Sequence, residues 1–269
     1  LPTRQDQQSP ASAGRTAAPT NLPVRHFQGR DGARLAYREL GTGRPLVLLH
    51  GYFSTATLNW VRYGHAGKLA ARGFRVILPD LRGHGDSARP HDPAAYPPDV
   101  LVDDGLALIE QLGLSEYDLG GYSLGGLTTV RMLVRGAAPG RAIVGGMGLE
   151  GIVRTGGRTA FFRRVLTNPG SFEHGSPEWL AAAFLKTVGG DPLALLPILD
   201  TFVDTPREAL ARIRVPTLVV IGAEDDDHGS AEELAAVLPD GRYAMVPGNH
   251  MSAVTKPELG AVIADFLEG

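Results

Sequence analysis

Ser123 stands in the pentapeptide Gly121-Tyr122-Ser123-Leu124-Gly125, with a glycine two positions away on either side. This G-x-S-x-G spacing suits a nucleophilic hydroxyl when a strand precedes it and a helix follows. The glycines let strand and helix backbones approach closely, and the sharp turn between them lifts the hydroxyl clear of the sheet. The amide of Leu124 would then open a helix, where negative charge on an oxyanion is stabilised. The chemistry is nucleophilic attack with a covalent acyl intermediate. On its own the pentapeptide is a weak signal in a chain with 35 glycines, and a glycine-rich turn with a serine helix cap is the plain alternative.

Such a serine needs a base, and the base needs an acid to orient it. Gly222-Ala223-Glu224-Asp225-Asp226-Asp227 follows the apolar run Thr217–Ile221, and Gly248-Asn249-His250-Met251 follows Arg242–Val246. The order serine, acid, histidine, each just after a strand-like run, makes His250 the expected base. Four adjacent acids leave the orienting carboxylate open, and Glu150 is a further alternative. His228, close to the acids, is the rival base, whereas His26, His65, His84, His91 and His174 have no comparable setting. His50-Gly51-Tyr52 follows the run Pro45–Leu49. Its loop offers the Tyr52 N–H as a second oxyanion donor beside that of Leu124, and the His50 side chain reads as a structural group bonded to loop backbone.

These residues must be held by a regular frame. Val24–Gln28 and Leu35–Glu39 flank Gly29-Arg30-Asp31-Gly32 as a hairpin. Short continuous apolar runs at 45–49, 74–78, 117–121, 142–149, 217–221 and 242–246 fit strands covered on both faces. Three- and four-residue apolar intervals predict helices over 60–71, 100–112, 124–134, 231–238 and 257–267. The alternation predicts an α/β fold, a mostly parallel sheet with helices on both faces and its ligand site beyond the carboxyl ends of the strands. Residues 151–207 interrupt it with short helices rich in Phe, Trp and Leu, an insertion expected to form a small helical cap. Trp60, Phe161, Trp179 and Phe184 are the expected pocket side chains, and their character favours an apolar substrate. Arg154, Arg158, Arg163 and Arg164 keep an anionic one open.

Residues 22–150 and 208–269 make up the expected core, and residues 1–21 read as a polar arm or tail. The formal net charge of -3, with scattered Lys and Arg, gives no reason to expect nucleic acid or a membrane surface as partner. No apolar run is long enough to span a bilayer. A small-molecule substrate is the expected partner, with a homo-oligomer left open. The chain has no cysteine, so thiolate and disulfide chemistry are excluded, and the serine mechanism calls for neither a metal nor an organic cofactor. The chain begins with Leu1; an exported protein after signal cleavage and a trimmed cytoplasmic one both fit.

From about residue 24 to 269 the sequence resembles the α/β-hydrolase superfamily, in particular the small bacterial esterase and cofactor-free haloperoxidase-like branch. The matching segments, in order, are His50-Gly51-Tyr52 with Asn59-Trp60, Pro79-Asp80-Leu81-Arg82-Gly83-His84-Gly85-Asp86-Ser87, the nucleophile turn, Gly222-x-x-Asp225 and Gly248-Asn249-His250. The resemblance implies that Asp225, three residues after Gly222, is the orienting acid. It also implies that the amides of Tyr52 and Leu124 bind the oxyanion and that Asp80, Arg82 and Asp86 fix a loop without catalytic role. Haloalkane dehalogenases and epoxide hydrolases of this superfamily carry Asp where this chain has Ser123, which argues against both activities. The haloperoxidase-like members usually have Met after the nucleophile; Leu124 at that place argues against peracid formation.

Overall fold

The computed structural model describes residues 21–269, so the polar arm expected over 1–21 lies, Asn21 apart, outside the described residues. Strands β1 (Arg25–Gln28), β2 (Arg34–Leu40), β3 (Arg44–Leu49), β4 (Phe74–Pro79), β5 (Asp118–Tyr122), β6 (Ala142–Gly145), β7 (Thr217–Gly222) and β8 (Gly241–Val246) form a single sheet. Their order is β1-β2-β4-β3-β5-β6-β7-β8. β2 runs antiparallel to β1 and β4, and β4 through β8 pair in parallel. Every residue of β5, β6 and β7 is buried, in keeping with the apolar side chains that dominate β6 and β7, whereas β8 at the sheet edge leaves Tyr243 and Met245 exposed and is not covered on both faces as its sequence run suggested.

Helices α1 (His65–Ala71), α2 (Val100–Gln111), α3 (Leu124–Val134), α4 (Leu149–Val153), α5 (Thr159–Thr167), α6 (Pro177–Thr187), α7 (Pro192–Leu195), α8 (Arg207–Leu210), α9 (Ala231–Val237), α10 (His250–Ala253) and α11 (Pro257–Glu268) complete the described fold. Strand side chains alternate between two cores. Val47, Leu49, Leu119, Val144 and Val219 pack with α2, α3 and α9 on one face. Leu46, Leu48, Ile143, Leu218 and Val220 pack with α1 and α11 on the other. Burial of both sheet faces is the main favourable term in such a fold.

Two expected elements are shorter than the apolar pattern indicated. The run 60–71 divides into a helical turn, Thr57–Val61, and α1, because Gly64 takes a left-handed φ of 81°. The run 142–149 ends as a strand at Gly145, since Gly146 turns at φ 63° and Leu149 begins α4. Helices α4 to α8 occupy the sequence between β6 and β7, and the Tyr52 hydroxyl donates to the Leu195 carbonyl to tie α7 to the β3 loop. The parallel strands bring Tyr52, Ser123, Asp225 and His250 to one edge, beyond the carboxyl ends of β3, β5, β7 and β8.

Candidate active site

Ser123 sits between β5 and α3 with φ 55° and ψ −116°, a conformation that costs a non-glycine residue about 1–3 kcal/mol. The turn is held by the Ser123 N–H donating to Gly145 O (2.7 Å) and the Leu127 N–H donating to Ser123 O (2.9 Å). The flanking glycines answer a steric demand. A Cβ at Gly121 would run into the Gly125 backbone, and one at Gly125 into the Leu49 and His50 carbonyls.

His250 Nε2 lies 2.9 Å from Ser123 Oγ, and its Nδ1 lies 2.9 Å from Asp225 Oδ2. The Asp225 carboxylate is fully buried and its other oxygen accepts from the Asp227 N–H. With a carboxylate as partner, Nδ1 carries the proton and Nε2 is left as acceptor for the serine hydroxyl. His250 opens α10, whose N-terminus is capped by Asn249. The Asn249 side chain accepts from the Met251 and Ser252 amides, and Ser252 Oγ accepts from the Asn249 N–H. His250 is thus placed by a capping box, not by a free loop.

The remaining acids and histidines fall elsewhere. Asp227 forms an ion pair with Arg158, and Asp226 lines the adjoining cavity. Glu224 is exposed. Glu150 belongs to α4 and not to a strand end, a correction to its sequence placement; it too faces the cavity. The His228 ring centre is 5.1 Å from that of His250, and no His228 hydrogen bond to Ser123 forms. Burial, with His250 and Arg158 adding to it, pushes the His228 imidazole down to about 4, so it is neutral at ordinary pH. Asp225, Asp227 and His250 bring ligand-type atoms within 4.8 Å of one another. Asp227 is paired to Arg158, and Asp225 accepts the His250 Nδ1–H, so each carboxylate already has a partner.

The amides of Tyr52 and Leu124 make no hydrogen bond among the described residues, and both residues line a cavity with Ser123. Hydrogen bonds hold the Tyr52 loop in place. The buried His50 ring donates from Nδ1 to Gly51 O (2.8 Å) and accepts the Leu81 N–H at Nε2 (3.0 Å), so backbone on both sides fixes its neutral tautomer. Burial holds its pKa below the usual histidine value. Asn59 accepts the Gly51 N–H, and Asp80 accepts the Ala56 and Asp86 amides and the Arg38 guanidinium. Buried Arg82 pairs with buried Asp104 and with the exposed Asp31. Asp86 pairs with Arg38 at the rim.

Ser123 borders two cavities. The larger, of about 310 Å³, is walled by Tyr52, Leu124, Leu127, Met147 and Phe162, facing the polar side chains of Glu150, Arg154, Arg158, Asp226 and His228. The smaller, of about 70 Å³, includes His250, Tyr122 and Phe184. Of the four pocket side chains expected from sequence, Phe184 reaches the site. Trp60 does not; it is fully buried in the α1/α11 core, where its aromatic character serves packing. Trp179 does not either, because α6 turns it outward against His174, at 4.1 Å between rings. Phe161 stands behind Phe162, 5.3 Å between rings, beneath Arg158. Arg163 and Arg164 pair with Asp200 and Glu178 away from the cavity. The expectation of an apolar pocket therefore holds for one wall of the larger cavity and fails for the other. Met147, Phe202 and His228, which sequence reasoning did not assign to the pocket, come from segments far apart in the chain.

A parallel sheet flanked by helices, with a serine on a strained strand-to-helix turn facing a histidine and a buried aspartate, defines a protein of the α/β-hydrolase class. Residues 46–260 match the model of the alpha/beta hydrolase family, and the chain belongs to that family. It is 38% identical over 111 residues to AB hydrolase superfamily protein YisY of Bacillus subtilis (strain 168), covering 41% of this chain and 39% of that protein. It is 29% identical over 172 residues to the soluble epoxide hydrolase of Corynebacterium sp. (strain C12), covering 61% of this chain and 56% of the relative. Less than two thirds of either relative is spanned. Among solved structures, a hydrolase from Pseudomonas aeruginosa PA01 superposes with a TM-score of 0.71 at 26% identity, over 91% of this chain and 98% of that one.

Proposed function

We propose that the protein is a serine hydrolase that cleaves carboxylic esters of small to medium size through an acyl-enzyme. Ser123 is the nucleophile, His250 the base, Asp225 the acid that orients it, and the Tyr52 and Leu124 amides bind the oxyanion. Residues 151–207 act as a helical cap over the site. The carrying observation is the His250 imidazole bridging Ser123 Oγ and the buried Asp225 carboxylate at 2.9 Å on each side.

His250 takes the Ser123 proton as the hydroxyl attacks the ester carbonyl. Negative charge forms on the carbonyl oxygen, where the two amides meet it; each such donor contributes about 3–4 kcal/mol to the transition state. The imidazolium, stabilised by Asp225, then gives its proton to the departing alcohol. A water deprotonated by His250 attacks the acyl-enzyme, and collapse returns Ser123 its proton. His228 is neutral beside this relay and adds no charge that would oppose the imidazolium.

The similarity to a protein named as an epoxide hydrolase does not carry that activity here, since Ser123 stands where the resemblance expects Asp in such enzymes. The same triad serves lactone, amide or C–C bond cleavage, and acyl transfer to an acceptor other than water, so a substrate panel is needed beside the labelling test. A fluorophosphonate is expected to modify Ser123 in the wild type and nothing in Ser123→Ala, with ester turnover lost in the variant. Full ester turnover by Ser123→Ala would overturn the reading. Ligand affinity without product release or labelling would make this a binding protein instead.

A further inference from the structure

The smaller cavity at Ser123 is not closed. Leu58, Tyr63 and Phe184 line it and also line a groove of about 540 Å³ that runs outward between the helical turn Thr57–Val61 and α6. Val61 and Val188 continue the apolar wall, and Thr55, Thr57, Arg62 and Thr187 share the lining. The small cavity is therefore the inner end of a longer path, and Phe184, half-buried on α6, faces Leu58 and Tyr63 where the two meet.

Chemistry gives this path a direction. The departing oxygen of an ester must receive its proton from His250. His250 lines the small cavity and does not line the 310 Å³ one. Ser123 and Tyr52 border both cavities, so the reacting carbonyl sits where they join, and Leu124 lines only the 310 Å³ one. The leaving group thus departs toward Phe184, and the acyl part stays on the Leu124 side.

We infer that the groove between Thr57–Val61 and α6 binds the alcohol part of an extended apolar ester, and that Phe184 determines how long that part can be. The inference rests on the serine esterase reading above. Each methylene moved from water into such an apolar groove favours binding by roughly threefold to fourfold.

Two substrate series test it. One holds the acyl group as acetate and lengthens the alcohol from ethyl to octyl; the other holds the ethyl alcohol and lengthens the acid from acetate to octanoate. In the wild type, kcat/KM should rise by roughly threefold per methylene along the alcohol series until the groove is filled. Phe184→Trp should lower the octyl-to-ethyl ratio of that series at least tenfold, while shifting the octanoate-to-acetate ratio of the other less than threefold. Leu58→Trp, from the opposite wall, should do the same and serves if Phe184→Trp melts early. Tryptophan variants that compress the acyl series instead, or that leave both ratios unchanged, overturn the inference. A wild type that is labelled at Ser123 but indifferent to alcohol length overturns it while sparing the esterase reading. A wild type neither labelled nor active on either series overturns both.

Discussion

The Tyr122 hydroxyl donates a 2.8 Å hydrogen bond to the carbonyl oxygen of His250. Tyr122, immediately before Ser123, therefore holds the segment that carries His250. The ring is buried, tilted against the imidazole with 5.5 Å between centres, and hemmed in by Gly145 and Gly146, where a Cβ would press on it. Burial, reinforced by the carboxylates of Asp225 and Asp227, keeps the phenol well above its usual pKa, so it stays a donor throughout the working pH range.

Tyr122→Phe should keep the packing and lose that one bond, at a stability cost of about 1 kcal/mol. With the base held less firmly, kcat should fall by roughly threefold to tenfold with little change in KM, the mark of an interaction felt in the transition state. Steady-state kinetics on a good ester checks this. An unaltered kcat would mean that the Asn249 capping box alone positions His250.

The acidic run offers a sharper contrast. Asp225→Asn should lower kcat by about 10³–10⁴, because the amide no longer fixes the imidazole tautomer that leaves Nε2 free to accept. Asp227→Asn should release Arg158 from its ion pair and change KM by a few-fold with kcat largely kept. Asp226→Asn should do less than either. If the ranking of kcat losses put Asp227 first, the relay would not run through Asp225.

Much of this arrangement was legible in the chain. The strand runs stand out because both sheet faces are covered, so an unbroken apolar stretch such as Thr217–Ile221 has little other explanation. The convergence of Ser123, Asp225 and His250 could be anticipated because each follows such a run. The carboxylate that meets His250 was not separable from its neighbours by pattern, since Glu224, Asp225, Asp226 and Asp227 differ only in which way the turn points them; only the family spacing singled out Asp225. The pocket was the least legible part. Trp60 and Phe184 are both large aromatics at helical intervals, yet one is sealed beneath the sheet and the other faces Ser123. Periodicity tells that a side chain is covered, not what covers it.

Glycines give a paired test of the close approach at the Ser123 turn. Gly125→Ala forces a methyl against the Leu49 and His50 carbonyls, which are backbone and cannot swing aside. The variant should lose roughly 2 kcal/mol or more of stability, in the range of overpacked sites, and most of its activity. Gly156→Ala meets nothing within 4 Å and lies outside the left-handed region, so it should be neutral or gain up to about 1 kcal/mol. Denaturant midpoints of the two variants decide this. Equal midpoints would mean that α3 can shift away from β3 at no cost.

Acid sensitivity should come first from histidines. Burial lowers the pKa of His50, His65, His84 and His228, that of His84 to about 3 and that of His228 to about 4. Below pH 6.5 the unfolded chain takes up protons at these sites that the native state refuses, so stability is full above that pH and falls toward pH 4. Each proton so excluded contributes a slope of up to about 1.4 kcal/mol per pH unit. Carboxylates act lower down. Asp31, held to about 2 by Arg82, loses its contribution only below the usual carboxylate range, and Asp104 and Asp118, raised by burial, bind protons first in the native state and offset part of the loss. The denaturant midpoint should therefore drop steadily from pH 7 to 4.5. In His84→Asn, whose amide can still donate to the Arg82 carbonyl that His84 Nδ1 now meets, the slope should diminish by about one proton. A midpoint that stays level over that interval would show that these imidazoles accept protons in the folded protein, which their enclosed positions oppose.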